Sequence, residues 1–181
     1  MKKWLEASFN LHKILNVVLA ATHPALYIAG IDAIDSVRHP SKIPHKVHFK
    51  IHDVVHSWPS AFSGMSIIAN RLTPRHRDKH GAAQFFDLLL SCGYHTKAKF
   101  CIPELQAELS YLPGTINLIC GRVLSHAVPS WEGGERVCMA LYMRDAVHER
   151  LGICRPDWST LDTYLVYMHK DFIEHQNQVY T

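Results

Sequence analysis

Apolar positions along the first forty residues recur every three or four places, as they do on one face of a helix. Residues 4–21 are predicted to form one helix with a wide buried stripe. A second helix is predicted to follow Pro24 and to end before Pro40. The usual layering of folds favours the packing of both helices against a sheet, and a recognition surface is the alternative interpretation.

A basic, histidine-rich segment follows at residues 41–58. His48, His52 and His56 would share one face of a helix, and a zinc site is one interpretation. The β-branched and aromatic residues between them instead favour extended structure, which separates the imidazoles. We therefore expect a solvated polar segment. Its lysines could contact phosphate groups: Lys42, Lys46 and Lys50.

From Phe62 onward, short runs of β-branched and aromatic residues alternate with turn residues. Seven strands are predicted there: Met65–Leu72, Gln84–Ser91, Lys97–Ile102, Gln106–Tyr111, Thr115–Cys120, Val123–Val128 and Glu135–Arg144. Many short strands at such spacing are typical of a sandwich or jelly roll. The pattern from about residue 158 to residue 175 returns to helical or irregular structure. The fold class is therefore mainly β with flanking helices (α+β).

One short motif in the β-rich part carries candidate chemistry. His76 and Asp78 are two residues apart, so on an extended strand their side chains point to the same face. A later histidine would complete the two imidazoles and one carboxylate that bind Fe(II) and leave coordination positions open. His126 is the candidate, because it lies on a predicted strand. A surface turn for the pair and a core position for His126 are the simpler alternatives.

Arg136 follows His126 by ten residues and opens the last long predicted strand. A keto-acid cosubstrate needs a cation deep in the barrel for its far carboxylate, and the guanidinium fork matches a carboxylate in two places. Arg136 is therefore a candidate anchor, with a surface cation beside Glu135 as the alternative. His80 is expected beside the metal site without being a ligand.

Together these residues resemble the Fe(II)/2-oxoglutarate-dependent dioxygenases. Asn70-Arg71 followed by His76-Arg77-Asp78 is most similar to the TET/JBP branch of nucleic-acid oxygenases, and the chain resembles fungal transposon-associated members of this group. Two further segments are similar to strand and turn signatures of that branch: Phe86-Asp87-Leu88-Leu89 and Tyr111-Leu112-Pro113-Gly114. The resemblance covers residues 62–145 well and the N-terminal helices poorly.

The resemblance implies a cofactor role for each matching residue. It implies His76, Asp78 and His126 as ligands of Fe(II). It implies that Arg136, together with Arg71, binds 2-oxoglutarate. The implied fold is a double-stranded β-helix (jelly-roll) core over 62–145, packed by helices from 1–40 and followed by a helical or irregular segment, 146–181. All three parts are expected to form a single domain, 1–181.

The resemblance also implies a pocket for a flipped base. Tyr142 would stack on the base, with Arg144 and Asn70 as polar contacts; a core or edge aromatic for Tyr142 and pairing of Arg144 with the following aspartate are the alternatives. Two departures bear on base specificity. Gly81 stands where relatives carry an Asn or Asp that contacts the base, and Cys138 stands where they often carry a serine.

Composition changes this picture little. The 181 residues have a net charge of +3, which permits an anionic partner, and 48% of them are hydrophobic. Five cysteines, with no Cys-x-x-Cys pair, argue against a disulfide framework and for a reducing compartment. The apolar run 14–21 is too short to span a bilayer. We expect an intracellular, nuclear monomer without a membrane partner.

The expected activity is oxidation of the methyl group of a methylated base in DNA, first of all 5-methylcytosine, with O2 as the other cosubstrate. Thymine, or removal of an N-methyl group from a base, is a close variant. A hydroxylase of proteins or small molecules, and a non-catalytic transposon-derived domain that binds DNA or a partner, are the alternatives. Basic residues would form a rim for phosphates: Lys42, Lys46, Lys50, Arg75, Arg77 and Lys79.

Overall fold

The computed structural model describes residues 2–39 and 54–167, which belong to two compact units. One unit comprises Met1–Ala61 together with Ile153–Thr181, and the other comprises Phe62–Gly152. The single-domain organisation over 1–181 stays a prediction. Several residues of the predicted basic segment lie outside the described residues: Lys42, Lys46, His48, Lys50 and His52. The same holds for the predicted helical or irregular structure after residue 167.

Three helices open the first unit: α1 (Lys2–Ala7), α2 (Phe9–Thr22) and α3 (Pro24–Arg38). The single helix predicted over 4–21 is wrong at Ser8, whose hydroxyl donates to the Leu5 carbonyl and competes with regular helical bonding. The helix after Pro24 is confirmed, since proline fits the first helical turn. A further helical segment covers 161–167. No helix among the described residues is long and apolar enough to cross a membrane.

Eight strands form two four-stranded sheets in the second unit, and all their pairings are antiparallel. They are β1 (Gly64–Ala69), β2 (Thr73–His76), β3 (Asp87–Gly93), β4 (Lys99–Ile102), β5 (Ala107–Ser110), β6 (Ile116–Ile119), β7 (His126–Val128) and β8 (Arg136–Tyr142). One sheet has the order β1-β8-β3-β6 and the other β2-β7-β4-β5. This is the strand order of a jelly roll, so the predicted core and the α+β class are confirmed.

The core of this unit lies between the two sheets. Leu89 on β3 and Cys138 on β8 meet Phe100 on β4, Val128 on β7 and Tyr111, which follows β5. Burial of each large apolar side chain contributes about 1.5–3 kcal/mol. The cluster therefore fixes β7 and β8 relative to each other, and these strands carry the later candidate site residues.

Several strand boundaries differ from the predicted pattern, and two of them lie beside the candidate site. The strand expected over Met65–Leu72 ends at Ala69, because Asn70 takes a positive φ of 51° and turns the chain. The chain then forms β2, which was not predicted as a strand. The strand expected over Glu135–Arg144 ends at Tyr142, and a short helix, α4 (Asp145–Leu151), follows.

Candidate metal centre

The fold brings His76, Asp78 and His126 together. His76 ends β2 directly opposite His126, which begins β7, and Asp78 lies in the loop that follows β2. The Nε2 atom of His76 is 3.8 Å from Asp78 Oδ1, and the Nε2 atom of His126 is 3.7 Å from Asp78 Oδ2. One ligand atom from each residue lies within 4.8 Å of the other two. Two imidazoles and one carboxylate in this arrangement fit Fe(II).

Both imidazoles are oriented through the nitrogen that does not face the carboxylate. His76 Nδ1 is 2.9 Å from the Pro74 carbonyl oxygen, and His126 Nδ1 is 3.5 Å from that of Leu124. A carbonyl only accepts, so Nδ1–H donates and Nε2 keeps its lone pair for a metal. Burial, followed by the charge of His76, lowers the pKa of His126 and favours the neutral ring that a metal needs.

Asp78, the candidate carboxylate ligand, is held by a backbone hydrogen bond and by a second acidic side chain. The Asp78 N–H donates to the Gly121 carbonyl at 2.9 Å. Asp87, at the start of β3, is 6% exposed and hydrogen-bonds to the Asp78 side chain. Burial, and then the neighbouring charge of Asp78, raises the pKa of Asp87 to about 8. At neutral pH Asp87 therefore carries a proton that it can donate to Asp78.

Arg136 is buried in the same cavity. Its side chain is 1% exposed, which rules out a surface cation, and its guanidinium carbon lies 5.3 Å from the centre of the Tyr111 ring and 5.5 Å from that of Trp131. One terminal nitrogen donates to the Arg71 carbonyl at 3.4 Å, but Nε has no hydrogen-bond partner among the described residues. A buried cation with an unused donor fits a carboxylate, as 2-oxoglutarate would supply.

Tyr111, which belongs to one of the signature segments but has no role in the predicted site, lies beside this arginine. The Tyr111 hydroxyl is 3.5 Å from Cys138 Sγ, and burial raises the pKa of Tyr111 far above its ordinary value. The hydroxyl keeps its proton and can donate to an anion near Arg136. Tyr111 therefore offers a hydroxyl close to Cys138. In the sequence, the Tyr111-Leu112-Pro113-Gly114 signature predicts a strand end and a turn but no role for the tyrosine hydroxyl.

The cavity has a volume of about 260 Å³ and contains most of the predicted substrate-side residues. Tyr142 lines it, with its hydroxyl 3.3 Å from Ser66 Oγ and the Arg144 guanidinium 4.8 Å above its ring centre. Arg144 and Arg71 also line it. Asn70 does not line the cavity. Its side-chain oxygen accepts from the Arg136 backbone N–H at 2.9 Å, so Asn70 is better placed to support Arg136 than to contact a substrate.

The model of one protein family matches residues 2–145 of the chain; its description is Tet_JBP, the oxygenase domain of the 2OGFeDO superfamily. The chain belongs to this family. A solved structure described as NgTET1 in complex with 5mC DNA is also similar, with a TM-score of 0.46 and 11% sequence identity over 67% of this chain. The match spans 47% of that chain, about half its length. No curated protein matches.

The Tet/JBP family uses Fe(II) and 2-oxoglutarate, and the chemistry of this cavity agrees with both. The family match does not assign individual residues. In this Tet/JBP domain the donor set of His76, Asp78 and His126 fits the metal, and buried Arg136 fits the cosubstrate.

The basic residues beside the cavity of this Tet/JBP domain are not all free to bind phosphates. Arg77 donates to Glu104 at 2.8 Å, and an Arg75 terminal nitrogen lies 3.7 Å from the same carboxylate. Hydrogen bonds from Ser125 and then Arg77 lower the pKa of Glu104 to about 2, so it stays ionised. Lys79 is exposed and lines the cavity, which leaves it available for the predicted phosphate rim.

Proposed function

We propose that the chain is an Fe(II)/2-oxoglutarate-dependent dioxygenase that oxidises the methyl group of 5-methylcytosine in DNA. One observation carries the proposal: the ligand atoms of His76, Asp78 and His126 converge within 4.8 Å in the same cavity as a buried arginine with an unused donor. Family membership supports the cofactor pair. The identity of the methylated base goes beyond what family membership supports and is the more specific part of the proposal.

Each residue then has a definite task. When bound, Fe(II) and 2-oxoglutarate supply O2 activation coupled to decarboxylation of the keto acid, and this provides the oxidising power. His76, Asp78 and His126 would hold the metal, and two imidazoles with one carboxylate leave coordination positions open. Arg136 would bind the far carboxylate of the cosubstrate through its guanidinium fork, and the Tyr111 hydroxyl would donate to the same carboxylate.

The substrate side of the cavity suits a flipped base. A methyl group inside a duplex cannot reach a metal held in the cavity, so the base must leave the stack. Tyr142 offers a ring face for stacking, and Arg144, which lies over that ring, offers donors to the base edge. Lys79, which is exposed and lines the cavity, would contact a phosphate beside the extruded nucleotide.

Mass spectrometry of digested DNA tests this function. The chain is incubated with Fe(II), 2-oxoglutarate and matched duplexes that carry 5-methylcytosine, thymine or N6-methyladenine. We expect 5-hydroxymethylcytosine from the first duplex together with succinate. Asp78→Ala should abolish both products, whereas the exposed control Asp32→Ala should keep them.

Two other outcomes would redirect the proposal. Oxidation of one of the other bases alone would keep the oxygenase and replace the substrate. Succinate formation without any oxidised base would favour a protein or small-molecule substrate.

A further inference from the structure

Glu104 contacts residues next to both histidine ligands. It belongs to a short 3-10 helix, Pro103–Leu105, that follows β4. Its Oε1 atom accepts from Arg77 at 2.8 Å, and its Oε2 atom accepts from the Ser125 hydroxyl at 2.8 Å and from the Ser125 N–H at 3.2 Å. Arg77 lies between His76 and Asp78 in the chain, and Ser125 directly precedes His126. One carboxylate therefore connects the two segments that carry the candidate metal ligands.

The backbone alone holds these two segments weakly. The pairing of β2 with β7 has two register positions, Thr73 with Val128 and His76 with His126, and the register shifts between them. Pro74, inside β2, has no N–H to donate. By comparison, β1 and β8 pair at six consecutive positions. The backbone hydrogen bonds between β2 and β7 therefore fix the separation of His76 from His126 less firmly than a regular ladder would, and side-chain contacts must contribute more.

The side chains around Glu104 supply that link. Arg75 adds a third connection, because its Nε donates to the Ser125 hydroxyl at 2.9 Å while a terminal nitrogen lies 3.7 Å from Glu104. Residues on both sides of His76 are thus tied to the residue before His126. A shift of Arg77 or Ser125 would move the neighbouring ligand, because adjacent residues share a peptide bond.

We propose that Glu104 is a positioning residue for the metal centre. It fixes the distance between the strands that present His76 and His126, and it neutralises two arginines that would otherwise repel a divalent cation. The inference rests on the proposed function, since it takes His76, Asp78 and His126 as metal ligands. Partners that orient metal ligands affect affinity by about 10-fold to 100-fold when they are removed.

Titration of the full chain with Co(II), a spectroscopic substitute for Fe(II), tests the proposal. We expect Glu104→Gln to weaken Co(II) binding by about 10-fold and to change the visible ligand-field spectrum. The matched control is Glu108→Gln, which breaks the exposed pair of Glu108 with Lys99 on β5 and β4 and should change neither. Ser125→Ala, which removes one arm of the link, should weaken binding by a smaller factor and serves if Glu104→Gln does not fold.

Charge neutralisation has its own test in a double variant. Adding Arg77→Gln to Glu104→Gln should restore part of the Co(II) affinity, which a general loss of packing would not allow. Unchanged Co(II) affinity and spectrum in folded Glu104→Gln would overturn the positioning role. A wild-type chain that binds no Co(II) would overturn it together with the metal assignment. A wild-type chain that binds Co(II) but oxidises no DNA would overturn the proposed function and leave the result on Glu104 standing.

Discussion

The backbone N–H of Asp78 donates a 2.9 Å hydrogen bond to the carbonyl oxygen of Gly121. Gly121 also lies directly against the Asp78 side chain. A Cβ atom at position 121 would be 2.6 Å from Asp78 Oδ2 and 2.4 Å from Asp87 Oδ2, which is closer than nonbonded atoms approach. Because Gly121 has no side chain, the carboxyl groups of Asp78 and Asp87 can lie together against its Cα.

Gly121→Ala should displace the carboxylate of Asp78. We expect Co(II) affinity to fall by about 10-fold or more, because the methyl group needs the space that both acids occupy. Isothermal titration calorimetry measures the change. Gly81→Ala is the matched control for metal binding, since a Cβ there meets its nearest neighbour, the Met143 carbonyl, at an ordinary 3.8 Å. Equal Co(II) affinity in Gly121→Ala and wild type would contradict the account.

Arg136→Lys should separate cosubstrate binding from metal binding. Lysine keeps the charge but loses the planar fork, and the lost charged hydrogen bonds cost about 3 kcal/mol, or on the order of 100-fold in 2-oxoglutarate affinity. Calorimetry in the presence of Co(II) measures this change, and Co(II) affinity itself should stay within about twofold. Arg122→Lys, at an exposed arginine outside the cavity lining, should leave both affinities unchanged. Normal 2-oxoglutarate binding by Arg136→Lys would refute the assignment.

Tyr142→Ala should affect the substrate alone. Loss of a stacking ring costs about 1–3 kcal/mol per base, so KM for methylated DNA should rise by about 5-fold to 150-fold. Tyr142→Phe keeps the ring and should remain close to wild type. Steady-state kinetics with a 5-methylcytosine duplex distinguish the two variants. An equal loss in both would assign the effect to the hydroxyl and its contact with Ser66 instead of stacking.

Local sequence signals predict much of the fold. Pro24 and Pro40 bracket α3, and Gly and Pro residues separate most strands of the jelly roll. The pattern fails where local signals conflict with tertiary structure. β2 contains a proline and polar residues and pairs at only two positions, so it has no apolar alternation to detect. The hydroxyl of Ser8 interrupts the first helix without any change in apolar spacing.

Some residues of the candidate site could be predicted from the sequence and others could not. His76, Asp78 and His126 could be selected because their side chains suit a metal and their order suits two adjacent strands. Asp87 and Tyr111 lie in the two segments that resemble family signatures, but their roles in the site could not be predicted, since each gains its role from a distant residue that folding brings close.

Glu104 should contribute to the loss of thermal stability at acid pH. Its pKa is lowered from an ordinary 4.5 to about 2, so its stabilising contacts are present above pH 4.5 and are lost as the pH falls towards 2. The Tm difference between wild type and Glu104→Gln should therefore be constant above about pH 5 and shrink between pH 4.5 and pH 2. Thermal melts across this range measure it. In a Ser125→Ala background the difference should be smaller at every pH above 5. A constant difference down to pH 2 would contradict the assignment.

Anaerobic titration with Fe(II) and 2-oxoglutarate tests the central claim most directly. Chelation of Fe(II) by 2-oxoglutarate produces a visible absorption band, which should saturate at one metal per chain in the wild type. Asp78→Ala and His126→Ala should lose the band, and Arg136→Lys should need much more 2-oxoglutarate to reach it. A wild-type chain that shows no band, or a band that persists in folded Asp78→Ala and His126→Ala, would contradict the account.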